Sequence, residues 1–320
     1  MRAMITGING FVGSHLAEYL LNLGGWDVWG IVLAEDTLLP LLQESVKPLR
    51  ADLRQPSQVA EALNQAQPDV IFHLAGQAFV PESFRDPIGT FTTNVLPQIN
   101  IFQTIIELQL KTRVLVIGSG EVYGAIEPTD LPLNENTPLR PASPYAVSKV
   151  TQDMLTMQYH LSHQLDLIGM RPFNHIGPRQ NDRFVVPAFA KQIAQIEAGL
   201  QPPVIQVGNL TARRDFTDVR DVVQAYTRAV EFGQAGQLYN LGSGRAVAVQ
   251  TILDLLLADS PAQITVQIDP ERMRPVQIPE IVCDASRFRA CTGWEPQIPL
   301  EKTLHDALAE WRAKVNSSQA

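Results

Sequence analysis

Cysteine is nearly missing from this chain: its 320 residues hold two, Cys283 and Cys291. Two thiols cannot build a disulfide scaffold, their spacing fits no metal motif, and such scarcity points to a reducing compartment. Long apolar runs are missing too, so no segment is expected to span a bilayer. The opening MRAMITGING lacks the basic start and apolar core of a secretory signal. A cytoplasmic protein is therefore expected. Positive charge is short: the net charge is −8 and the pI is about 5.3. That balance argues against a nucleic-acid or anionic-membrane surface, although a few local arginines can still hold a small anion. There is no obvious repeat or low-complexity tract. What is present is apolar, at 45% of residues, enough for one large domain or two fused ones.

The first half alternates strands and helices. Residues 3–6, 27–32, 70–74 and 114–117 are apolar and largely β-branched, as strands buried on both faces of a parallel sheet are. Between them, 11–22, 58–65 and 97–110 place apolar residues at helical spacing. Gly24 and Gly25 stop the first helix, and Pro97 suits the start of the third. A long helix is expected over 143–162, then a strand over 165–170. This alternation predicts an α/β fold with a doubly wound parallel sheet of Rossmann type. The second half carries frequent prolines and shorter signals, as a smaller C-terminal substrate-binding domain would. Residues 236–241 read as a strand returning to the main sheet. The expected division is 1–171, with a return segment near 218–242, against 172–217 and 243–320.

The first strand runs into Gly7, Gly10, Phe11, Val12 and Gly13, then a helix. Three glycines at this spacing allow a tight turn, close approach of backbone to a pyrophosphate, and close helix–strand packing. The helix start adds amides and the positive end of its dipole. A dinucleotide is the expected ligand. Residues 3–46 contain no lysine or arginine to meet a 2′-phosphate, while Glu35 and Asp36 stand where a carboxylate would meet ribose hydroxyls. This favours NAD(H) and leaves NADP(H) open, since Arg50 or Arg54 could reach in. Asp52 and Leu53 follow the third strand, and Asp52 could accept from the adenine amino group. Leu74 and Ala75, at the end of the fourth strand, would let a cofactor lie against backbone. His73 reads as a packed residue.

Tyr145 and Lys149 lie one helical turn apart and share a face. An ammonium beside a phenol is expected to lower the phenol pKa from its usual 10. Lysine can also hold cofactor ribose hydroxyls. Ser119 ends the fifth strand, where this fold places ligands, and its hydroxyl suits a reacting oxygen.

Together, TGINGFVG, HLAGQ, GSGEVYG and YAVSK resemble the extended short-chain dehydrogenase/reductase superfamily over nearly the whole chain. The resemblance implies an NAD(P)-dependent oxidoreductase with Ser119, Tyr145 and Lys149 as its catalytic group. It also implies a homodimer formed through helices 97–110 and 145–162, and a nucleotide-sugar substrate. The stretches RPFNHIGPRQ, VGNLTARRDFTDVRDVVQAY and GWEPQIPLEKTL are similar to the GDP-sugar branch. That implies GDP contacts from Asn174, Lys191, Arg214 and Arg274. The wording favours reduction of the C4 ketone of a GDP-4-keto-6-deoxy-hexose, giving GDP-D-rhamnose. Glu121 stands where the GDP-mannose 4,6-dehydratases carry a catalytic glutamate, so dehydration stays the alternative. An epimerase and a non-catalytic cofactor-binding scaffold remain further readings.

Overall fold

Apolar residues at alternate positions feed both faces of one sheet. In a computed structural model that describes residues 1–33, 35–272 and 278–317, the first half runs β1 (Arg2–Thr6), α1 (Phe11–Leu23), β2 (Asp27–Val32), β3 (Lys47–Arg50), α2 (Pro56–Ala66) and β4 (Val70–His73). It continues through α3 (Val80–Arg85), α4 (Pro87–Asn94), α5 (Leu96–Glu107), β5 (Arg113–Ile117), α6 (Pro144–His163) and β6 (Leu167–Pro172). Then follow β7 (Asn174–Ile176), α7 (Val185–Glu197), β8 (Val204–Val207), β9 (Arg213–Asp218), α8 (Val219–Phe232) and β10 (Leu238–Leu241). The chain ends with β11 (Ala246–Ala248), α9 (Val249–Ala258), β12 (Thr265–Ile268), α10 (Ser286–Thr292) and α11 (Leu300–Ser317). The short helices α3 and α4 escaped the sequence reading because Pro81 and Pro87 interrupt the periodic signal there.

Seven strands form a parallel sheet in the order β3-β2-β1-β4-β5-β6-β10. Ala3, Ile5, Phe72 and Leu115 face one core with α1 and α8; Met4, Ile71, Val114 and Val116 face the other with α2 and α5. The period-2 side-chain alternation of a strand explains this split. From β1 the chain winds outward to β3, then crosses back to β4. That reversal opens a crevice at the carboxyl ends of β1 and β4, the usual ligand position of such a sheet.

A second body uses two small sheets, β11-β9-β7 and β12-β8, over a core shared by α7, α9 and α11. Three acidic residues from the RRDFTDVRD stretch tie its segments together. Asp215 is fully buried and accepts from the Ser243 hydroxyl and the amides of Ser243, Gly244 and Cys283. Asp218 caps α8 and accepts from Arg220 and Thr303. Asp221 accepts from the amides of Gln297 and Ile298. These carboxylates act on the fold. Replacing Asp215 with alanine leaves several buried donors unpaired, so urea unfolding of Asp215→Ala should show a loss of about 3 kcal/mol or more.

Candidate functional site

The turn between β1 and α1 needs its glycines. Gly7 has φ of 69°, and its carbonyl accepts from the Gly10 amide at 2.9 Å. A Cβ on Gly13 would stand 2.2 Å from the Gly7 carbonyl oxygen. Gly10 caps α1 with no side-chain acceptor, whereas α4, α6 and α8 are capped by Asp86, Ser143 and Asp218. The first amides of α1 therefore remain open to an anion. Gly7, Gly10, Phe11, Val12 and Gly13 line a cavity of about 320 Å³. An uncapped helix start on a glycine cradle fits a dinucleotide pyrophosphate.

Thr6 fixes this loop to the end of β4. Its hydroxyl oxygen accepts from the Leu74 and Ala75 amides at 3.1 and 3.0 Å and lies 2.9 Å from His73 Nδ1. With both lone pairs engaged, the hydroxyl donates to Nδ1, so His73 carries its proton on Nε2. Burial, helped by the Lys149 charge, pushes the His73 pKa down to about 3. His73 is thus a neutral strut. Leu74 and Gly76 line the cavity, while Ala75 backs Gly7 from behind.

Two expected cofactor residues sit differently. The Asp52 carboxylate is gripped by Arg54 with contacts of 2.8 to 3.2 Å, and Leu53 is buried in the sheet core. Neither lines the cavity. The cation missing from residues 3–46 arrives from β3: Arg50 Nη1 donates to the Asp36 carbonyl at 2.8 Å. Asn9 holds the same loop through Thr37 and Leu39.

Opposite the glycine loop stand Ser119, Tyr145 and Lys149, all under 9% exposed and all lining the cavity. Ser119 lies two residues past β5 and accepts from the Glu121 amide at 3.1 Å. Ser143 caps α6 and sets Tyr145 and Lys149 on its first turns. Lys149 Nζ donates to the Ile117 carbonyl at 2.8 Å and lies 5.9 Å from the Tyr145 ring centre. Burial pushes the Tyr145 pKa up to about 12, against a smaller pull from Ser119, with the Glu121 charge adding to the rise. Burial brings Lys149 down to about 8, with Asp153 opposing. This corrects the expectation of an acidified phenol: the ammonium engages a backbone carbonyl, and desolvation decides the tyrosine.

Behind this wall, buried polar residues that the sequence did not reveal hold α4, α5 and α6 together. Asn94 bonds both the Gln77 backbone and Ser148, and Gln98 bonds Thr156 and the Gln152 carbonyl. The buried pair Asp153–Arg171, at 2.7 Å, extends to Tyr123 and Asn240.

A second cavity of about 520 Å³ adjoins the first, and both share Phe79, Glu121, Asn174 and Phe184. Asn174 and Glu121 thus stand at the junction. Arg214 lines the second cavity, as do Arg85, Arg183 and Arg272, which were not read from the sequence. They come from separate segments, and only folding gathers them. Lys191 stands apart from both cavities, paired with Asp182 at 2.6 Å beside the Trp311 ring. Arg274 lies outside the described residues.

The family described as GDP-mannose 4,6 dehydratase matches residues 4–307. The chain is 36% identical to the GDP-6-deoxy-D-mannose reductase of Pseudomonas aeruginosa, over 98% of each sequence. Its fold is similar to that of RMD from Pseudomonas aeruginosa complexed with NADPH, with a TM-score of 0.87, 35% identity, and 98% and 99% of the two chains covered. It is also similar to the Thermus thermophilus UDP-glucose 4-epimerase complex with NAD, with a TM-score of 0.87 at 26% identity over 98% and 99% of the chains. A match that spans nearly the full length, on a Rossmann sheet with this serine, tyrosine and lysine, means that the chain belongs to the GDP-mannose 4,6-dehydratase family of extended short-chain dehydrogenases/reductases.

Proposed function

We propose that this protein reduces the C4 ketone of a GDP-4-keto-6-deoxy-hexose with NAD(P)H, giving GDP-D-rhamnose. The observation that carries this reading is geometric: Ser119, Tyr145 and Lys149 line the same cavity as the glycine loop, which sets a phenol donor beside the cofactor site. The 36% identity to a GDP-6-deoxy-D-mannose reductase supports the same direction. Gly7, Gly10, Phe11, Val12 and Gly13 would hold a reduced nicotinamide cofactor in the first cavity, where it would supply the hydride equivalent for the sugar carbon. Tyr145 gives its proton to the carbonyl oxygen as charge develops there. Ser119 hydrogen-bonds that oxygen, and Lys149 sets positive charge beside the phenol. Asn174 stands where the sugar would pass between the cavities, and Arg214 offers paired donors to a diphosphate.

Dehydration of GDP-mannose needs a further acid/base. Glu121 lines both cavities and could serve. Gly120, which has no side chain, could not. The assay offers GDP-mannose and its 4-keto-6-deoxy derivative separately, following cofactor absorbance and product mass. Oxidation of reduced cofactor only with the keto sugar supports the reductase; loss of water from GDP-mannose supports the dehydratase. Running it with NADH and NADPH decides the cofactor, for which Arg50 beside the Asp36 carbonyl argues towards NADPH and the acidic loop towards NADH.

Dimerisation through α5 and α6 is part of this reading. Val147, Met154 and Leu161 repeat every seven residues along α6 and are 40%, 44% and 72% exposed. Such an apolar stripe suits a helical seam with a second copy. A cytoplasmic location also belongs to this reading; among the described residues no helix is long and apolar enough to cross a membrane.

Tyr145→Phe should lower kcat about a hundredfold or more while cofactor affinity, measured by titration, stays within about twofold. The reduction rate should fall above about pH 8 as Lys149 loses its proton, since its folded pKa lies there and the phenol still holds its own. A rate unchanged to pH 10 would refute that role for the ammonium. Sedimentation of Met154→Glu with Leu161→Glu should show a monomer where the parent chain shows a dimer.

A further inference from the structure

One residue lining the first cavity carries an acceptor with no hydrogen-bond partner among the described residues. Gln180 is 6% exposed and lines the cavity. Its Nε2 donates to the His175 carbonyl at 3.0 Å, which fixes the amide orientation, because the flipped form would set oxygen against oxygen. Its Oε1 is buried and finds no hydrogen-bond partner among the described residues. A buried acceptor left unpaired is costly, and native proteins rarely keep one without a ligand or water to meet it.

His175 completes the arrangement. Its Nδ1 lies 3.1 Å from the Phe173 carbonyl and so carries the proton, leaving Nε2 as an acceptor. Burial holds its pKa below the ordinary value, which keeps the ring neutral. The imidazole stacks on Phe11, the first residue of α1, with ring centres 5.9 Å apart and planes 9° from parallel. The imidazole is therefore placed against the helix that follows the glycine loop, and Gln180 is tied to the same residue through the His175 carbonyl.

The segment carrying them is pinned from both bodies of the protein. Arg179 donates its amide to Glu310 of α11 at 2.6 Å, and its guanidinium meets Glu18 and His15 of α1. Its φ of 70° is unusual for a non-glycine residue and persists because these contacts hold it. Gln180 follows directly and cannot drift without breaking them.

We propose that Gln180, seconded by His175, is the seat of the cofactor's carboxamide and that Gln180 Oε1 accepts a hydrogen bond from its NH₂ group. This rests on the nicotinamide-cofactor reading above. The seat offers acceptors, so it selects a group with N–H donors and disfavours an acetyl or a carboxylate. Holding the carboxamide fixes the rotation of the nicotinamide ring about its ribose bond. Gln180 is thus a positioning residue: it decides which face of the ring turns towards Ser119 and Tyr145.

The test is calorimetric binding to the intact protein, without substrate. Three ligands are compared in the NAD and NADP series: the oxidised nicotinamide cofactor, its 3-acetylpyridine analogue, and the ring-less ADP-ribose form. The parent protein should bind the nicotinamide form about tenfold more tightly than the acetylpyridine form. In Gln180→Met that gap should shrink to about twofold or less, with ADP-ribose affinity unchanged, which also shows that the variant is folded. Gln180→Leu should behave alike. A gap that survives in both variants overturns the seat. Equal affinity of the parent protein for the two ring forms, with ADP-ribose still bound, overturns the seat alone. Failure of the parent protein to bind any of the three overturns the cofactor reading and the seat with it.

Discussion

The hydrogen bond from Lys149 to the Ile117 carbonyl joins α6 to the end of β5. The wall that carries the phenol and the ammonium is placed by that junction. It brings Tyr145 alongside Ser119, and it faces both towards the glycine loop across the crevice. It also buries an ammonium next to a neutral histidine and under a phenol. Each group is desolvated, and each moves its pKa towards the uncharged form: His73 and Lys149 down, Tyr145 up. A site built this way stores protons on oxygen at neutral pH. That is the state a reduction consumes.

The crevice exists because the sheet reverses its winding between β1 and β4, but its rigidity comes from small polar contacts. Thr6 joins the two strand ends. Asn94 and Gln98 hold the helices behind them. Arg179 then locks α1 to α11, so that the two bodies share one wall. Buried polar groups satisfied on several sides restrict a core to one arrangement more strictly than apolar packing does. Here they surround the site on the sheet side and leave the second cavity to be lined by separate arginine-bearing segments.

Much of this was legible in the chain. Strands buried on both faces announce themselves as apolar β-branched runs. Thus β1, β2, β4 and β5 fell within a residue or two of their expected places. The glycine turn and the pair Tyr145 and Lys149 depend on local backbone geometry, so spacing was enough to find them. The arginine cluster was only partly legible. Lys191 was grouped with it on the family resemblance, yet folding set it against Asp182, while Arg85 and Arg183 came into the cavity unannounced. The three aspartates of RRDFTDVRD entered only as part of the family resemblance, and their work is to hold backbone amides.

By itself, the sequence determined the parallel sheet, the phosphate turn and the facing of phenol and ammonium along one helix. These follow from periods of 2 and 3.6 residues and from what glycine alone can do at a tight turn. Only the tertiary structure decided the charge states and the wall of the second cavity. Both depend on desolvation and on neighbours brought from distant parts of the chain. Burial therefore raised the tyrosine pKa that adjacency to lysine had suggested would fall.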